Sequence, residues 1–287
     1  MKNPVIQIEN VSWAYSPAKI WALKDISLEI EEGAFVAVLG GNGSGKTTFC
    51  RLLNGLIPHS LAGKLTGRVM VDGIDTASSS PALLAEKTGM AFEEPQLFTA
   101  RVFDEVAFAL ENMLLPPAQI KEKVLWALDA VSLRDYAELP PISLSSGQKQ
   151  RLAIAAAAAM AGRVLVLDDP TSQLDPLGAG EILSLINELR GKTGLTVVMT
   201  ACSGEDAAEY ADKICVLNKG SIAAFDIPRN IFSDRKLFAD SLVQSPAVSE
   251  CALCMENLGH ALPEFPVNLR EAEEAVISWY NSGEKCG

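Results

Sequence analysis

A glycine-rich segment over residues 40–48 has the residue types of a phosphate-binding loop. Its glycines would let backbone N–H groups wrap closely around the β- and γ-phosphates of a nucleotide. Lys46 supplies one positive charge to those phosphates, and the Thr47 hydroxyl is placed to ligate Mg²⁺. The segment consists of Gly40, Gly41, Asn42, Gly43, Ser44, Gly45, Lys46, Thr47 and Thr48. These residue types in this order predict a site for a nucleoside triphosphate.

Two carboxylates later in the chain predict a metal-binding position in the same site. Asp168 and Asp169 directly follow the apolar residues 164–167, which have the length and composition of a buried strand. Carboxylates at the carboxyl end of a parallel strand suit Mg²⁺ and a polarised water. A solvated turn is the alternative, and the phosphate loop favours the metal site.

The phosphate loop requires a strand before it and a helix N-terminus after it. Residues 36–39 are β-branched and apolar, and residues 49–57 are compatible with a helix. Alternating patterns predict antiparallel strands over residues 5–9, 23–30 and 67–72, which flank the nucleotide site. Short apolar runs predict further strands over residues 88–92, 164–167 and 196–200, and a closing hairpin over 214–217 and 221–225.

Helical periodicity predicts an insertion between these strands and a tail after them. The insertion spans about residues 95–160, with one helix from Val102, a second after Pro116-Pro117, and an alanine-rich helix that ends at Gly162. Another amphipathic helix is expected over residues 180–189. The tail is expected to form helical stretches, over residues 231–243, 248–258 and 269–280.

Composition limits the classes of partner. The chain has 287 residues and a formal net charge of −12, which argues against nucleic acid as the main partner. Among six scattered cysteines, Cys251 and Cys254 form a lone C-x-x-C, so zinc is not expected. The N-terminal residues lack a secretory pattern, and the longest apolar run, residues 152–162, is too short to span a membrane. Any membrane attachment is expected to come through a partner.

Several motifs in a fixed order give the chain its resemblance to a known family. The phosphate loop is followed by Leu144-Ser145-Ser146-Gly147-Gln148, by the strand and carboxylates 164–169, and by Ser172-Gln173-Leu174-Asp175. In this order the chain resembles an ABC-type ATPase over residues 5 to about 230. Residues 92–95, 104–112 and 211–220 are similar to the ATPases of energy-coupling factor (ECF) importers, which take up vitamins or transition-metal ions. A helical tail also fits that type.

The resemblance implies an α/β fold of the P-loop NTPase class. It implies a mixed sheet core, an antiparallel β subdomain, a helical subdomain and a C-terminal helical extension. The nucleotide-binding domain would comprise residues 1–230, with the helical subdomain at about 95–160, and the extension would comprise residues 231–287. It also implies integral membrane transporter subunits as partners, and therefore a peripheral location on the cytoplasmic face of the membrane.

Family knowledge further implies a role for each matched residue. Tyr15 would stack on adenine, Lys46 and Thr48 would bind phosphates, and Thr47 and Asp168 would hold Mg²⁺. Two ATPase subunits would pair head to tail. Residues 144–148, the family's signature motif, would then reach ATP bound at the phosphate loop of the other subunit. The residues implied at that shared interface are Ser145, Ser146, Gly147, Gln148 and Asp175.

Three departures from the family pattern fall on hydrolysis. The carboxylate after Asp168 is Asp169 rather than glutamate, which draws the charged group back by about 1.5 Å. Glu93 stands where a glutamine is usual, so an added negative charge would ligate the metal or repel the nucleotide. Ala201 replaces the switch histidine, and an alanine side chain has no hydrogen bond to give. The two histidines, His59 and His260, lie elsewhere in the sequence.

We therefore predict an ATP-binding subunit whose own half-site hydrolyses ATP poorly, paired with a more active ATPase. A heterodimer is favoured over a homodimer. One alternative is a self-sufficient homodimeric ATPase in which Asp169 and Glu93 together activate water. Another is a nucleotide-sensing subunit that never hydrolyses ATP. A soluble ABC protein acting on DNA or ribosomes is disfavoured by the acidic charge and the single cassette.

Overall fold

The computed structural model describes residues 4–17, 20–201, 203–237 and 243–281. It contains two sheets built from ten strands. These strands are β1 (Pro4–Tyr15), β2 (Trp21–Glu31), β3 (Phe35–Leu39), β4 (Gly63–Val71), β5 (Ile74–Asp75), β6 (Thr88–Ala91), β7 (Val164–Asp168), β8 (Thr196–Ala201), β9 (Lys213–Asn218) and β10 (Ser221–Asp226).

Eleven α-helices with fully described bounds connect or follow these strands. They are α1 (Lys46–Leu53), α2 (Leu56–His59), α3 (Pro81–Ala85), α4 (Val102–Asn112), α5 (Pro117–Ala130), α6 (Ser146–Met160), α7 (Pro176–Thr193), α8 (Gly204–Tyr210), α9 (Pro228–Ser233), α10 (Ala247–Asn257) and α11 (Leu269–Asn281). Within the described ranges, none of these helices is long and apolar enough to span a membrane.

The larger sheet is mixed and carries the candidate site at one edge. Its strand order is β10-β9-β3-β8-β7-β6, and only the β9–β10 pair is antiparallel. The smaller sheet, β2-β1-β4-β5, is antiparallel throughout. The mixed sheet and the separate antiparallel sheet confirm the predicted fold class. Since β3, β7 and β8 are parallel neighbours, the segments that follow them emerge at the same edge.

The central strands are buried on both faces, as their continuous apolar sequences require. Along β3, Phe35, Ala37 and Leu39 pack into one core, which also contains side chains of α4, α5, α6 and α7. Val36 and Val38 face the opposite core, with Phe49 of α1 and the inner face of the antiparallel sheet. Burial of a phenylalanine of this kind contributes about 1.5–3 kcal/mol to stability. These two cores hold β3 and α1 in place on either side of the phosphate loop.

Several predicted boundaries were wrong for local reasons. α7 begins at Pro176 rather than at residue 180, because the Asp175 carboxylate caps the helix and Pro176 occupies its first turn. β4 begins at Gly63 rather than 67, because its mostly exposed first half pairs with β1 as far as Tyr15. β6 ends at Ala91 rather than at residue 92.

The predicted helix over residues 231–243 was also wrong in its continuity. α9 ends at Ser233, and the Asp234 carboxylate accepts hydrogen bonds from the backbone N–H groups of Lys236 and Leu237. This capping pattern starts a new turn at residue 235. Residues 238–242 of the predicted stretch lie outside the described residues. The other two tail helices are confirmed as α10 and α11, with ends shifted by a single residue.

Candidate functional site

The phosphate loop connects β3 to α1 and leaves the N-terminus of that helix open. Gly45 precedes α1 with φ of 110°, in the region that favours glycine, and makes no side-chain cap. The loop is fixed from outside because the Ser44 carbonyl accepts a hydrogen bond of 3.0 Å from the Gly220 N–H. Unpaired N–H groups and the helix dipole at this point form a receptor for an anion.

Two loop glycines differ in the space around them. Alanine substitutions at the two positions therefore test whether close packing of the loop is needed for ATP binding. A Cβ on Gly40 would lie 2.4 Å from Ser44 Oγ and 2.5 Å from the Leu217 carbonyl oxygen, whereas one on Gly43 would meet nothing within 4 Å. We expect Gly40→Ala to lower the unfolding free energy by about 1–3 kcal/mol and to weaken ATP binding, because the loop must open. Gly43→Ala, at φ of 76°, should cost only the backbone strain of about 1–2 kcal/mol.

Denaturant unfolding and ATP titration of both variants would check this expectation. The informative comparison is ATP affinity, since both changes strain the fold but only the first displaces the loop. Equal ATP affinities for the two variants would contradict the proposed contact between Gly40 and Ser44.

The Lys46 side chain lies inside the curve of the loop. Its Nζ donates a hydrogen bond of 2.6 Å to the Gly40 carbonyl oxygen. The same ammonium group lines the cavity above the loop. The lysine therefore places its charge at the loop, and its binding of phosphate oxygens stays a prediction.

Asp168 ends β7 and is buried, with 4% of its surface exposed. Its Oδ1 accepts hydrogen bonds from the Thr47 hydroxyl at 3.2 Å and from the Thr200 hydroxyl at 2.8 Å. Within the described residues no lysine or arginine forms an ion pair with this carboxylate. A buried carboxylate held by two hydroxyls and no cation is expensive unless a cation binds there. These oxygen donors fit Mg²⁺, which prefers carboxylate, hydroxyl and water ligands.

Asp169 has a backbone conformation that is unusual for a residue other than glycine. Its φ is 46°, and its N–H donates a hydrogen bond of 2.9 Å to the Thr200 hydroxyl. Thr200 is thus bonded to both acidic residues and ties the end of β7 to β8. Positive φ at a non-glycine residue costs about 1–3 kcal/mol and is concentrated at functional sites. The strain turns the Asp169 side chain into the cavity.

A cavity of about 700 Å³ collects most of the predicted site residues. It contains residues 41–48 of the loop together with Glu93, Asp168 and Asp169. The structure also adds residues that the sequence motifs did not indicate. These are Ala22, Thr171, Ala179, Ser203 and Asp206, and Ser172 of the motif 172–175 also lines the cavity. The position of residues 203–206 after β8, the strand beside β7, is the signal that could have identified them.

Four carboxyl groups and one ammonium group line this cavity. The acids are Glu93, Asp168, Asp169 and Asp206, and Lys46 is the sole basic residue among the described residues that line the cavity. Burial raises the pKa of Asp206, and the negative charges of Glu205 and Asp169 raise it further. Apart from Lys46, the ionisable groups that line the cavity are therefore acidic.

Tyr15 lies beside the loop, next to a second cavity. Its hydroxyl is 3.1 Å from the Thr48 hydroxyl, and its ring contacts the Trp13 ring edge-on at a centroid distance of 5.6 Å. The second cavity, of about 560 Å³, is lined by Ala14, Tyr15, Ser16, Pro17, Trp21, Gly63 and Lys64. Stacking of Tyr15 on adenine stays a prediction. Trp21 is a second aromatic at this cavity that the sequence motifs did not indicate.

The signature residues lie at the start of α6, away from the cavity. Ser145 N–H donates to Gln148 Oε1 at 3.0 Å, and Gln148 N–H donates to Ser145 Oγ at 3.3 Å, which together form a capping box. Asp175 caps α7 by accepting a hydrogen bond of 2.7 Å from the Gly178 N–H. None of Ser145, Ser146, Gly147, Gln148 or Asp175 lines the cavity of the chain's own loop.

No imidazole reaches the cavity from the described residues. Ala201 ends β8 and packs in the core with 1% of its surface exposed. His59 Nε2 bonds to the Thr76 carbonyl oxygen at 2.8 Å. The His260 ring contacts the Trp279 ring at a centroid distance of 5.9 Å. Both histidines are therefore engaged elsewhere.

Comparison with known proteins gives a consistent result over nearly the whole chain. The ABC transporter family model matches residues 23–172. An ABC transporter ATP-binding protein of Pyrococcus horikoshii is 41% identical over 277 residues, covering 96% of this chain and 97% of the relative. An energy-coupling factor transporter ATP-binding protein of Symbiobacterium thermophilum is 37% identical over 293 residues, covering 98% and 99%.

A solved structure shows the same fold. It is that of cbiO1 from Clostridium perfringens, described as part of the ABC transporter complex cbiONQ. Its TM-score is 0.73 at 31% sequence identity, and the match covers 90% of this chain and 98% of that one.

Proposed function

Since this chain belongs to the ABC transporter family and is an ATP-binding subunit of the energy-coupling factor type, we propose that its own half-site hydrolyses ATP poorly. The observation that carries this proposal is the composition of the 700 Å³ cavity. It contains the loop, Lys46, Thr47 and Asp168, which would bind the phosphates and Mg²⁺, but the side chain at position 169 is short and no imidazole is present among the described residues.

ATP would be bound by the phosphate loop and by residues at the carboxyl ends of neighbouring strands. The loop amides and Lys46 would hold the β- and γ-phosphates, Thr48 would assist them, and Tyr15 would carry the adenine. Thr47 and Asp168 would hold Mg²⁺, and Glu93, which lines the same cavity, would join them. When bound, Mg²⁺ would neutralise the charge that develops during phosphoryl transfer.

Hydrolysis would be slow because the water-activating group is misplaced. Asp169 is one methylene shorter than glutamate, and a displacement of about 1 Å at a reacting centre can cost about 100-fold in rate. Glu93 adds a further negative charge to the same cavity. Ala201 leaves the terminal phosphate without a hydrogen-bond donor from the end of β8.

The active ATPase would be a heterodimer of this chain and a second ATPase subunit, rather than a homodimer. The signature residues and Asp175 lie outside the chain's own cavity, which supports a role at the partner's nucleotide. There the N-terminus of α6 would present its dipole and free N–H groups to the terminal phosphate. A partner with a full catalytic set would hydrolyse ATP, while this chain would contribute the facing surface.

We also propose that the pair drives uptake of a vitamin or metal ion through integral membrane subunits at the cytoplasmic face. The named relative and the cbiO1 structure both belong to transporter systems, which supports this assignment. Phe98 and Phe108 are exposed apolar side chains that could face a membrane partner. Glu105 stabilises this region by accepting hydrogen bonds from the Phe98 and Thr99 N–H groups at 3.0 Å. Residues 231–287 would form the C-terminal extension.

Gly147→Asp tests the shared interface without disturbing the fold. A Cβ at Gly147 would meet only Leu174 Cδ2, at 3.9 Å, and a carboxylate in the first turn of α6 suits the helix dipole. We expect ATP affinity of the isolated chain to be unchanged. Turnover of the purified transporter complex should fall by about 10-fold or more, because the new charge faces the partner's phosphate.

Gly147→Ala is the matched control and should lose much less activity. Turnover of the tagged chain should be measured alone and after co-purification with its partner subunits. Brisk hydrolysis by the purified homodimer would rule out the weak half-site and favour a self-sufficient enzyme. Loss of ATP binding in the isolated Gly147→Asp chain would contradict a role in trans.

A further inference from the structure

Asp206 is an acidic residue in the nucleotide cavity that no sequence motif uses. It lies on α8, which follows β8, and its side chain lines the same cavity as the phosphate loop, Asp168 and Asp169. Asp206 is half-buried, whereas Glu205 and Glu209 on the same helix are exposed. The fold therefore turns one of three acidic side chains of α8 toward the nucleotide.

The Asp206 carboxyl has no compensating group in the described part of the chain. No hydrogen bond or ion pair there joins it to a donor or a cation. The charges that act on it are those of Glu205 and Asp169, both negative, and with burial they raise its pKa. Burial and two neighbouring like charges make a carboxyl hold its proton more readily than an exposed carboxyl does.

The charge of the whole cavity favours the same state. Four carboxyl groups face one ammonium group, and a triphosphate adds further negative charge even when a divalent cation accompanies it. If every acid were ionised, the terminal phosphate would face several uncompensated negative charges in a partly enclosed space. One protonated acid removes part of this repulsion and adds a hydrogen-bond donor.

We propose that Asp206 acts as a catalytic residue, binding the terminal phosphate of ATP as an uncharged carboxylic acid whose hydroxyl donates a hydrogen bond to a phosphate oxygen. The inference rests on the proposed function, because it assigns a ligand group within the same half-site. Asp206 would also supply a hydrogen-bond donor near the end of β8, where the Ala201 side chain offers none. An acid in this state resembles the neutral carboxylic acids that stabilise anions in other enzyme sites.

Two substitutions of Asp206 distinguish a hydrogen-bond donor at this position from a negative charge. Asp206→Asn keeps the size and offers N–H donors without ionising, whereas Asp206→Ala removes both donor and charge. We expect Asp206→Ala to weaken binding of MgATP by about 10-fold or more, and to leave MgADP binding nearly unchanged. Asp206→Asn should bind MgATP about as well as the unmodified chain. Calorimetric titration of the full-length chain with each nucleotide provides the measurement.

Glu209→Gln is the matched control, since it neutralises an exposed acid of the same helix, three residues along. Thermal unfolding of each variant would establish that α8 is intact. Tighter MgATP binding by Asp206→Asn would overturn the inference, because it would show that the native carboxylate is ionised and repels the phosphate. Equal losses of MgATP and MgADP affinity would also overturn it, as would no change in Asp206→Ala.

The outcome is independent of the proposed function itself. If the unmodified chain binds MgATP in a Lys46-dependent manner while both Asp206 variants bind normally, the inference fails and the ATP-binding function stands. If the unmodified chain does not bind MgATP at all, both fail.

Discussion

Lys46→Ala is expected to weaken ATP binding by about 100-fold, the largest effect of any single substitution in the binding site. In the part of the chain that the structure describes, the lysine is the sole basic side chain that lines the cavity, which also contains four carboxyl groups. A charge-assisted contact of this kind is worth up to about 3 kcal/mol, which corresponds to roughly 100-fold in affinity. Removing it leaves the phosphates beside unopposed acids. Equilibrium titration with a fluorescent ATP analogue would measure the loss.

Lys121→Ala is the appropriate control, because Lys121 is an exposed lysine of α5 outside the cavity. It should bind ATP normally. The fold should tolerate Lys46→Ala, since the hydrogen bond lost is the one to the Gly40 carbonyl oxygen within the loop. Retention of full ATP affinity by Lys46→Ala would remove the basis for the phosphate-loop assignment.

Asp169→Glu is expected to raise the ATP turnover of the isolated chain by as much as about 100-fold. The added methylene advances the carboxylate by about 1.5 Å, toward the water that would attack the terminal phosphate. The backbone is already set for this change, because φ of 46° at Asp169 directs the side chain into the cavity and the Thr200 hydroxyl holds the backbone N–H. Steady-state phosphate release at saturating MgATP is the measurement.

Asp169→Asn removes the negative charge of the side chain, whereas Asp169→Glu only moves it. It should lower the residual turnover further and leave ATP affinity equal or higher, because it removes a negative charge near the phosphates. If Asp169→Glu leaves turnover unchanged, the short side chain is not what limits this half-site. The acidic cavity or the missing imidazole would then be limiting.

The tail of the chain shows how local capping can override helical periodicity. Residues 231–243 carry a helical pattern, yet α9 ends at Ser233 and Asp234 caps a new turn. The next segments are tied to the nucleotide-binding core rather than set apart from it. Val243 and Val267 pack in the core that contains Leu39 of β3, and Glu205 of α8 accepts a hydrogen bond of 2.9 Å from the Ala247 N–H.

From the sequence alone we could predict the phosphate loop, Asp168 at the end of a strand, and most of the strands in their order along the chain. The roles of the site residues stay predictions. The loop is contiguous, so its glycines, Lys46 and Thr47 need only local backbone geometry to form an anion receptor. Asp168 could be placed because a short apolar strand that ends in a carboxylate has few other arrangements in a parallel sheet. The departures at Asp169, Glu93 and Ala201 were readable for the same reason, since each lies within or next to a motif.

Tertiary structure decided which distant groups share one cavity. Asp206 and Ser203 carry no motif, and they reach the nucleotide because β8 lies beside β7 and the following helix returns over that edge. The strain at Asp169 and the double role of Thr200 likewise depend on contacts between separate strands. The signature and Asp175 occupy capping positions outside the chain's own cavity. These arrangements depend on strand order and helix packing, which are properties of the whole fold.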